Sequence, residues 1–198
     1  MNTESLPEKL ILASSSKYRR MLLQRFGIPF DCQSPEIDES PLPGESPVEL
    51  VARLATQKAE AVSRKNPQAI VIGSDQMAVF NRQIVGKPGS YAAALEQLTG
   101  FSGQLVEFLT AVSVQSHHIH FREQHTDSTR VLFRDLEREE IERYLQQEKP
   151  FDCAGAFKAE SLGIVLFESI SSEDPTALVG LPLIRTAAML RRAGIKLP

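Results

Sequence analysis

The sequence has no tryptophan, no long apolar run and no excess of charge of either sign. Its net charge is -3 over 198 residues. Proteins that bind nucleic acid without sequence preference depend on a surface rich in Lys and Arg, so this balance argues against a nucleic-acid-binding module. A polyanionic ligand would have to be met by a local cluster of positive side chains.

Cysteine is also scarce. Cys32 and Cys153 lie far apart and in no metal-ligand spacing, which predicts two buried thiols in a reducing compartment; a disulfide between them has no support. The apolar stretch after the polar N-terminus covers only residues 10–13, too few for the core of a signal peptide or for a membrane span. We therefore expect a cytoplasmic protein that binds no membrane.

What the sequence does contain is an alternation of strand and helix patterns. With 42% hydrophobic and 24% charged residues, the chain is typical of a globular protein, and its length suffices for one domain or for two small lobes that share one sheet. Strand patterns cover residues 9–13, 28–32, 69–73 continued by or paired with 77–80, 104–114, 117–133 and 163–170, and helix patterns cover 14–26, 47–64, 90–98, 137–147 and 182–192. This order predicts a mixed α/β fold in which residues 104–133 form a long antiparallel pair.

The first helix carries a cation on its apolar face. Leu22 and Leu23 follow Arg19 by three and four residues, so Arg19 faces inward with them. It also lies beside the serines at 14–16 and the backbone N–H groups of the helix start, where phosphate oxygens are readily held. The alternative is that Arg19 pairs with an acid of the loop at 36–39, and the pattern alone leaves both open.

The second helix repeats this anomaly. Lys58 lies in the same stripe as Leu54, Ala55 and Val62, and an ammonium among apolar side chains is costly unless it meets an anion. The alternative is that the long side chain extends along the apolar surface and leaves its ammonium in water.

An acid and a further lysine follow. The stretch IVIGSDQM, residues 70–77, places Asp75 at the end of an apolar strand, where catalytic side chains are often displayed, although an aspartate there can equally form a turn. Lys87 lies in the stiff Gly-Lys-Pro turn at 86–88, either as a ligand-binding group or as a solvated turn residue.

Taken together, these residues describe one kind of pocket. Arg19, Lys58 and Lys87 supply positive charge, while Glu39 and Asp75 could hold a divalent metal and activate water. Such a set suits a nucleoside triphosphate with its metal, because the metal bridges carboxylates and phosphate oxygens and fixed cations take up the remaining charge.

Three histidines need a separate interpretation. His117, His118 and His120 are close in sequence, and His118 and His120 would share a strand face. No acid or cysteine accompanies them at ligand spacing. We expect them at the surface; the alternative is metal binding.

Six ordered motifs carry a resemblance to a known family. They are residues 10–20 with a Ser-x-x-Arg-Arg ending, the Asp38-Glu39 pair, RLATQK at 53–58, GSDQ at 73–76, Gly-Lys-Pro at 86–88 and GAFKAE at 155–160. In this order they are similar to the motifs of Maf family nucleotide pyrophosphatases, from Lys9 to the final helix. The resemblance implies the α/β fold shared by Maf proteins and inosine triphosphatases, an elongated mixed sheet with two α/β lobes around a central cleft. Residues 1–198 would form a single Maf-like domain, with residues 1–8 as a loose N-terminal extension.

The resemblance also implies a reaction. A Maf enzyme cleaves a nucleoside triphosphate between its α- and β-phosphates, with Mg²⁺, Mn²⁺ or Co²⁺ as cofactor, and a homodimer is compatible with the family. By matching motif positions, Asp75 would accept the proton of the attacking water and bind metal, and Glu39 would be the second metal ligand. The phosphates would be bound by four side chains: Ser14, Arg19, Lys58 and Lys87.

Two positions resemble the branch of the family that hydrolyses 7-methyl-GTP. The positions of Tyr18 and Glu160 carry an aromatic residue and an acid in that branch, and usually Arg and Gln in relatives that act on dTTP and UTP. Methylation at N7 makes the purine cationic, so Tyr18 can stack on it and Glu160 can take up its charge; Gln76 could contact another edge of the base. Lys17 stands where the family usually has Pro, and Tyr18 where this branch most often has Trp.

The sequence leaves two further functions open. One is a pyrophosphatase of the same family that acts on dTTP, UTP or CTP. The other is a nucleotide-binding regulator without turnover, although such a protein would have no need of the general base at Asp75. In each case the partner is a small nucleotide, not a nucleic acid.

Overall fold

The computed structural model describes residues 9–197; the predicted loose extension at residues 1–8 lies outside them. The strands are β1 Lys9–Ala13, β2 Asp31–Cys32, β3 Ala69–Phe80, β4 Gln83–Val85, β5 Leu105–Ser116, β6 Phe121–Phe133 and β7 Phe167–Ser171. The helices are α1 Lys17–Gln24, α2 Pro47–Lys65, α3 Tyr91–Phe101, α4 Arg138–Glu148 and α5 Leu183–Arg192. The predicted mixed α/β class is confirmed.

The strands form one sheet in the order β2-β1-β3-β5-β6-β7, and β4 pairs with β3. Strand β1 is parallel to both β2 and β3, with Leu10 opposite Ile70 and Leu12 opposite Ile72. The β3–β4 and β6–β7 pairs are antiparallel. The sheet is therefore mixed, as the sequence predicts.

The chain divides into two compact units. Within the described residues, the first unit comprises residues 9–75, 110–127 and 174–197, and the second comprises 76–109 and 128–173. Helices α1, α2 and α5 belong to the first unit and α3 and α4 to the second.

The first unit is built on two apolar layers. Leu10 and Leu12 of β1 belong to a cluster that includes side chains of α1 and α5, whereas Ile11 and Ala13 belong to a second cluster with α2 residues. Successive side chains of a strand point to opposite faces, so a strand covered on both sides is apolar throughout. This explains the unbroken apolar run of β1.

Helix α2 begins as the sequence predicts. Ser46 is its N-cap, Pro47 is its first residue, and Ser46 and Glu49 form a reciprocal capping box. Because the cap side chain and the Glu satisfy backbone N–H groups that have no partner within the helix, this start is encoded locally.

The core of the second unit is aromatic. Phe133 contacts Phe101, Phe157 and Phe167, with ring centroids 5.3, 5.8 and 5.1 Å apart respectively. Phe108 packs edge-on against Phe157 at 5.1 Å. Edge-to-face pairs of this kind stabilise by more than their buried area alone.

Four expectations are corrected by the structure. Asp75 does not end a strand: it lies inside β3, because the strand continues through Asp75 as far as Phe80. The predicted strand at 163–170 begins as a short 3₁₀ turn, Leu162–Leu166, because the chain folds back so that the N–H of Gly163 donates to the carbonyl of Lys158. Helix α1 ends at Gln24, two residues before the predicted Phe26. The thiols are not buried: Cys32 is exposed and Cys153 half-buried, and within residues 9–197 neither forms a disulfide.

The three histidines considered above, His117, His118 and His120, lie at the turn between β5 and β6. His117 and His120 are exposed, as expected, whereas His118 is half-buried and its backbone N–H donates to the carbonyl of Pro67. None of the helices in residues 9–197 is long and apolar enough to cross a membrane.

Candidate active site

A buried lysine joined to two carboxylates forms the centre of the candidate site in the first unit. Lys58 Nζ lies 2.6 Å from Asp75 Oδ1 and 2.8 Å from Glu39 Oε1. The side chains of Lys58 and Asp75 are 8% and 11% exposed, whereas that of Glu39 is 58% exposed. The lysine in the apolar stripe therefore meets carboxylates of the chain itself, and its ammonium is not the solvent-exposed end of an extended side chain.

A glycine lets this cluster form. A Cβ atom on Gly73 would lie 2.3 Å from the carbonyl oxygen of Ala55 and 2.5 Å from the nitrogen of Ala59, so only glycine allows β3 and α2 to approach this closely. Residues 73 and 75 lie on the same side of the strand because side chains alternate. Asp75 consequently points toward α2, where Lys58 immediately precedes Ala59.

Arg19 and Ser14 form a second group in the same unit. Arg19 Nε donates to the carbonyl oxygen of Gly180 at 2.9 Å, and its Nη1 lies 3.5 Å from Ser14 Oγ. Ser74 Oγ donates to the same carbonyl of Gly180 at 2.9 Å. Ser16 caps α1 by accepting from the N–H of Arg19, so this arginine is fixed at both its backbone and its guanidinium.

The charge environment of Arg19 links the two groups. Burial lowers the pKa of Arg19, while the negative charges of Asp75 and Glu39 oppose that shift. The guanidinium donates to a carbonyl and a hydroxyl, and not to an acid of the loop at 36–39. Carboxylates thus act on the guanidinium through space while its orientation is fixed by neutral oxygens.

Tyr18 lies at the start of α1 and is half-buried. The ammonium of Lys17 lies 4.9 Å from the centroid of its ring. Cations are attracted to the face of an aromatic ring, so this ring already accepts a positive charge within its own chain.

Three of the predicted site residues belong to the second unit: Gln76, Lys87 and Glu160. Gln76 is half-buried in β3. Lys87 is exposed in a turn fixed on both sides: Gln97 Nε2 donates to the carbonyl of Gly86, and the N–H of Gly89 donates to that of Phe151.

Glu160 is exposed in a turn that is tied to α4. Ser161 Oγ donates to Glu148 Oε1 at 2.7 Å, and Lys158 Nζ lies 3.3 Å from Glu148 Oε2. The backbone that carries Glu160 is thus held on both sides, while its carboxylate faces solvent.

The carboxylate pair can be tested against a divalent cation. Asp75 and Glu39 both lie within hydrogen-bond distance of one positive atom, Lys58 Nζ, which shows that the two oxygens can share a cation. Within residues 9–197 there is no group of three or more His, Cys, Asp or Glu side chains arranged to hold a metal ion. Two carboxylates completed by water and phosphate oxygens are the ligand set typical of Mg²⁺ in phosphoryl-transfer sites.

Sequence reasoning missed several residues that shape this site. The Gly180 carbonyl lies 161 positions from Arg19, and no local pattern identifies it. Gly73 left a readable signal, since a glycine inside an apolar strand marks a bulge or a close approach of another backbone. Arg53, inside the RLATQK motif, binds the loop that carries Glu39.

The chain matches a known protein family and several curated proteins. The family model described as Maf-like protein matches residues 9–193. A protein of Aromatoleum aromaticum named 7-methyl-GTP pyrophosphatase is 52% identical over 96% of this chain and 98% of its own length. Proteins of the same name from Xanthomonas campestris and Polaromonas are 54% and 53% identical, over 96% and 95% of this chain and 98% and 86% of their own lengths. Among solved structures, the Staphylococcus aureus Ham1 protein covers 65% of this chain and 73% of its own, with 15% identity and a TM-score of 0.47.

Proposed function

The chain belongs to the Maf family, and on that premise we propose that it hydrolyses 7-methyl-GTP to 7-methyl-GMP and pyrophosphate. The substrate is supported by relatives of that name at 52% to 54% identity over nearly the whole chain. The reaction type is supported above all by one observation, the buried Lys58 between Asp75 and Glu39, because a desolvated cluster of this composition suits a metal-bound polyphosphate.

Fixed cations would bind the phosphates. Arg19 is oriented by the Gly180 carbonyl and Ser14, so its guanidinium is pre-organised for phosphate oxygens and loses little freedom when they bind. Ser14 can donate its hydroxyl proton to the same oxygens. Lys58 and Lys87 are assigned to the phosphates as well. The assignment of Lys87 is supported by its position in the Gly-Lys-Pro motif and by the hydrogen bonds that fix its turn.

Glu39 and Asp75 would hold the divalent metal. When bound there, the metal would neutralise phosphate charge and make a coordinated water more acidic. Lys58 now occupies the space between these carboxylates, so on substrate binding its ammonium would turn toward a phosphate oxygen and leave the carboxylates to the metal.

Asp75 would act as general base. A water molecule would attack the α-phosphorus opposite the oxygen that bridges to the β-phosphorus, and its proton would pass to a carboxylate oxygen of Asp75. The bond between the α-phosphorus and the bridging oxygen would break, so that pyrophosphate leaves with that oxygen. Before substrate binds, Lys58 donates to Asp75 Oδ1 and so orients this carboxylate for the reaction, and positioning of this kind is a major part of catalysis in phosphoryl transfer.

Tyr18, Glu160 and Gln76 are assigned to the base. Support for Tyr18 comes from the Lys17 ammonium over its ring, since a face that attracts an ammonium also attracts the cationic ring of 7-methylguanine. Glu160 has an exposed carboxylate on a fixed turn, and it can accept the N–H protons of the base.

The main experiment is pyrophosphate release from a panel of nucleotides with Mg²⁺, Mn²⁺ or Co²⁺. The panel contains 7-methyl-GTP, GTP, dTTP, UTP and CTP. We expect the highest kcat/KM with 7-methyl-GTP. Release from none of them would refute the enzymatic function, and a pyrimidine optimum would refute only the substrate and favour the dTTP, UTP or CTP alternative.

Two variants test the assigned roles. Asp75→Asn should abolish turnover while 7-methyl-GTP still binds, because the amide cannot accept the proton. Full turnover in this variant would refute the general base, and binding with no turnover even in the unaltered protein would favour the non-catalytic regulator.

Glu160→Gln should lower the preference for 7-methyl-GTP over GTP more than it lowers hydrolysis of GTP. Equal losses with both nucleotides would contradict a role in reading the methylated base. The homodimer and the cytoplasmic location stay predictions of the sequence.

A further inference from the structure

One arginine ties down the loop that carries Glu39. Arg53 Nε donates to Glu45 Oε1 at 2.6 Å and its Nη2 to Glu45 Oε2 at 2.8 Å, a bidentate pair. Nη2 also donates to the carbonyl of Ser40 at 2.9 Å, and Nη1 donates to Gln57 Oε1 at 2.9 Å. A single guanidinium therefore binds both ends of the segment 40–45, and Gln57, one turn along α2, keeps it in place.

The loop is folded onto this anchor by its own contacts. Asp38 Oδ1 accepts from the N–H of Ser40 at 2.9 Å, and Glu45 Oε2 accepts from the N–H of Leu42 at 3.0 Å. The loop has no regular secondary structure from residue 33 to 46. Its conformation thus depends on side-chain contacts, since fixing each backbone residue costs conformational entropy that such contacts must offset.

Glu39 directly precedes the anchored segment. Its carboxylate is 58% exposed and lies 2.8 Å from Lys58 Nζ. A solvent-exposed side chain on an irregular loop keeps such a position only if its backbone is fixed. Helix α2 holds Glu39 in two ways: Arg53 binds the backbone of its loop, and Lys58, five residues further along the helix, binds its carboxylate.

The pair between Arg53 and Glu45 is well shielded. Their side chains are 19% and 8% exposed. The hydrogen bond from Arg53 lowers the pKa of Glu45 to about 2, and the same bond raises the pKa of Arg53. Both groups therefore stay charged at neutral pH.

We propose that Arg53 is a positioning residue that holds the loop at 38–45 so that the Glu39 carboxylate is presented to the metal beside Asp75. This inference rests on the proposed function and extends it. The hydrogen bonds of Arg53 go to Glu45, Ser40 and Gln57 and not to the proposed metal ligands, so it acts through the loop. Lysine cannot replace it, since an ammonium lacks the planar fork that binds a carboxylate and a carbonyl at once.

The test compares Arg53→Lys with Arg64→Lys, the same change on the same helix. Arg64 has a side chain that is 71% exposed, and it pairs with Glu60 of the same helix. For Arg53→Lys we expect the half-saturating Mn²⁺ concentration with 7-methyl-GTP to rise roughly tenfold, as when an outer ligand-orienting group is lost, with kcat at saturating Mn²⁺ nearly kept. Glu45→Gln, which leaves α2 unaltered, should act in the same way.

Two further measurements separate positioning from general stability. Cleavage by a glutamate-specific protease after Glu39, measured by mass spectrometry, should be faster in Arg53→Lys than in Arg64→Lys. In a double-mutant cycle, Arg53→Lys should add little to the Mn²⁺ requirement of Glu39→Gln. Unchanged cleavage with an unchanged Mn²⁺ requirement, or a full additional effect in the Glu39→Gln protein, would overturn the proposal.

Failure of the proposed function would be visible separately. If the unaltered protein released no pyrophosphate from any nucleotide, the cleavage comparison would still decide whether Arg53 fixes the loop. Equal cleavage of the two arginine variants would then refute the inference on its own.

Discussion

Replacing Lys58 by Met tests the buried charge cluster most directly. Methionine has a similar length and suits the apolar stripe of α2, but it leaves Asp75 without its partner at 2.6 Å. At an effective dielectric constant of 20, the attraction across that distance is about 6 kcal/mol, part of which the desolvation of both charges offsets. Glu39, with a side chain 58% exposed, adds roughly 1 kcal/mol or less. Because removal of one partner leaves a buried charge uncompensated, we expect Lys58→Met to lower the free energy of unfolding by about 3–5 kcal/mol.

The assay is urea unfolding at pH 7, followed by circular dichroism. Lys65→Met is the matched control, since Lys65 is a 69% exposed residue of the same helix, 3.8 Å from Glu36. That control should stay within about 0.5 kcal/mol of the unaltered protein. In Lys58→Met/Asp75→Asn the uncompensated charge is gone, so the double variant should be more stable than the sum of the single changes by about 1–3 kcal/mol.

One result would refute this reasoning. If Lys58→Met unfolded at the same urea concentration as Lys65→Met, the lysine would not be compensating a desolvated carboxylate. The cluster would then contribute no more than a surface ion pair, and the electrostatic basis of the proposed site would be lost.

Three further predictions concern single contacts. Gly73→Ala places a Cβ atom 2.3 Å from backbone of α2 and should cost about 3 kcal/mol or more in urea unfolding, whereas Gly100→Ala, in open space within α3, should be neutral or stabilising by up to about 1 kcal/mol. Glu45→Gln should lower the melting temperature relative to the unaltered protein above pH about 4.5. Because Arg53 lowers the folded-state pKa of Glu45 to about 2, this difference in melting temperature should disappear as the pH falls from 4.5 to 2. A difference that stays constant over this range would contradict the prediction. Asp174→Asn should cost about 1.5–3 kcal/mol, measured by urea unfolding, since the buried Asp174 carboxylate accepts three hydrogen bonds at 2.6 to 2.9 Å; an unchanged midpoint would exclude that role.

The elements could be read from the sequence wherever their signals are local. The start of α2 at Pro47 and the strand β1 were predicted from neighbouring residues, whereas the capping box of Ser46 with Glu49 was seen only in the structure. Periodicity also placed Lys58 on the apolar face of α2, where the sequence left open an anion as its partner or an ammonium extending into water; the structure shows the anions. The strand predicted at 163–170 was wrong over its first half, which is a 3₁₀ turn, and right from Phe167 onward, because an apolar run does not by itself distinguish an extended strand from a 3₁₀ turn.

The candidate site was predicted in its components but not in its contacts. The motifs identified Glu39, Lys58 and Asp75, yet nothing in the sequence showed that one ammonium would lie between the two carboxylates. For Arg19 the sequence left a phosphate or a loop acid open, and the structure adds a contact that neither alternative contained, a hydrogen bond to the carbonyl of Gly180.

The sequence by itself determined the order of helices and strands, the caps, and the presence of cations on apolar faces, because each follows from residues within one or two turns. Only the tertiary structure decided which groups meet: Asp75 with Lys58, Arg19 with Gly180, and Arg53 with the loop that carries Glu39. The close approach of α2 to β3 at Gly73 brings Lys58 to Asp75, and Arg19 meets a carbonyl 161 positions along the chain. Such contacts depend on packing between distant segments, which no local pattern of side chains contains.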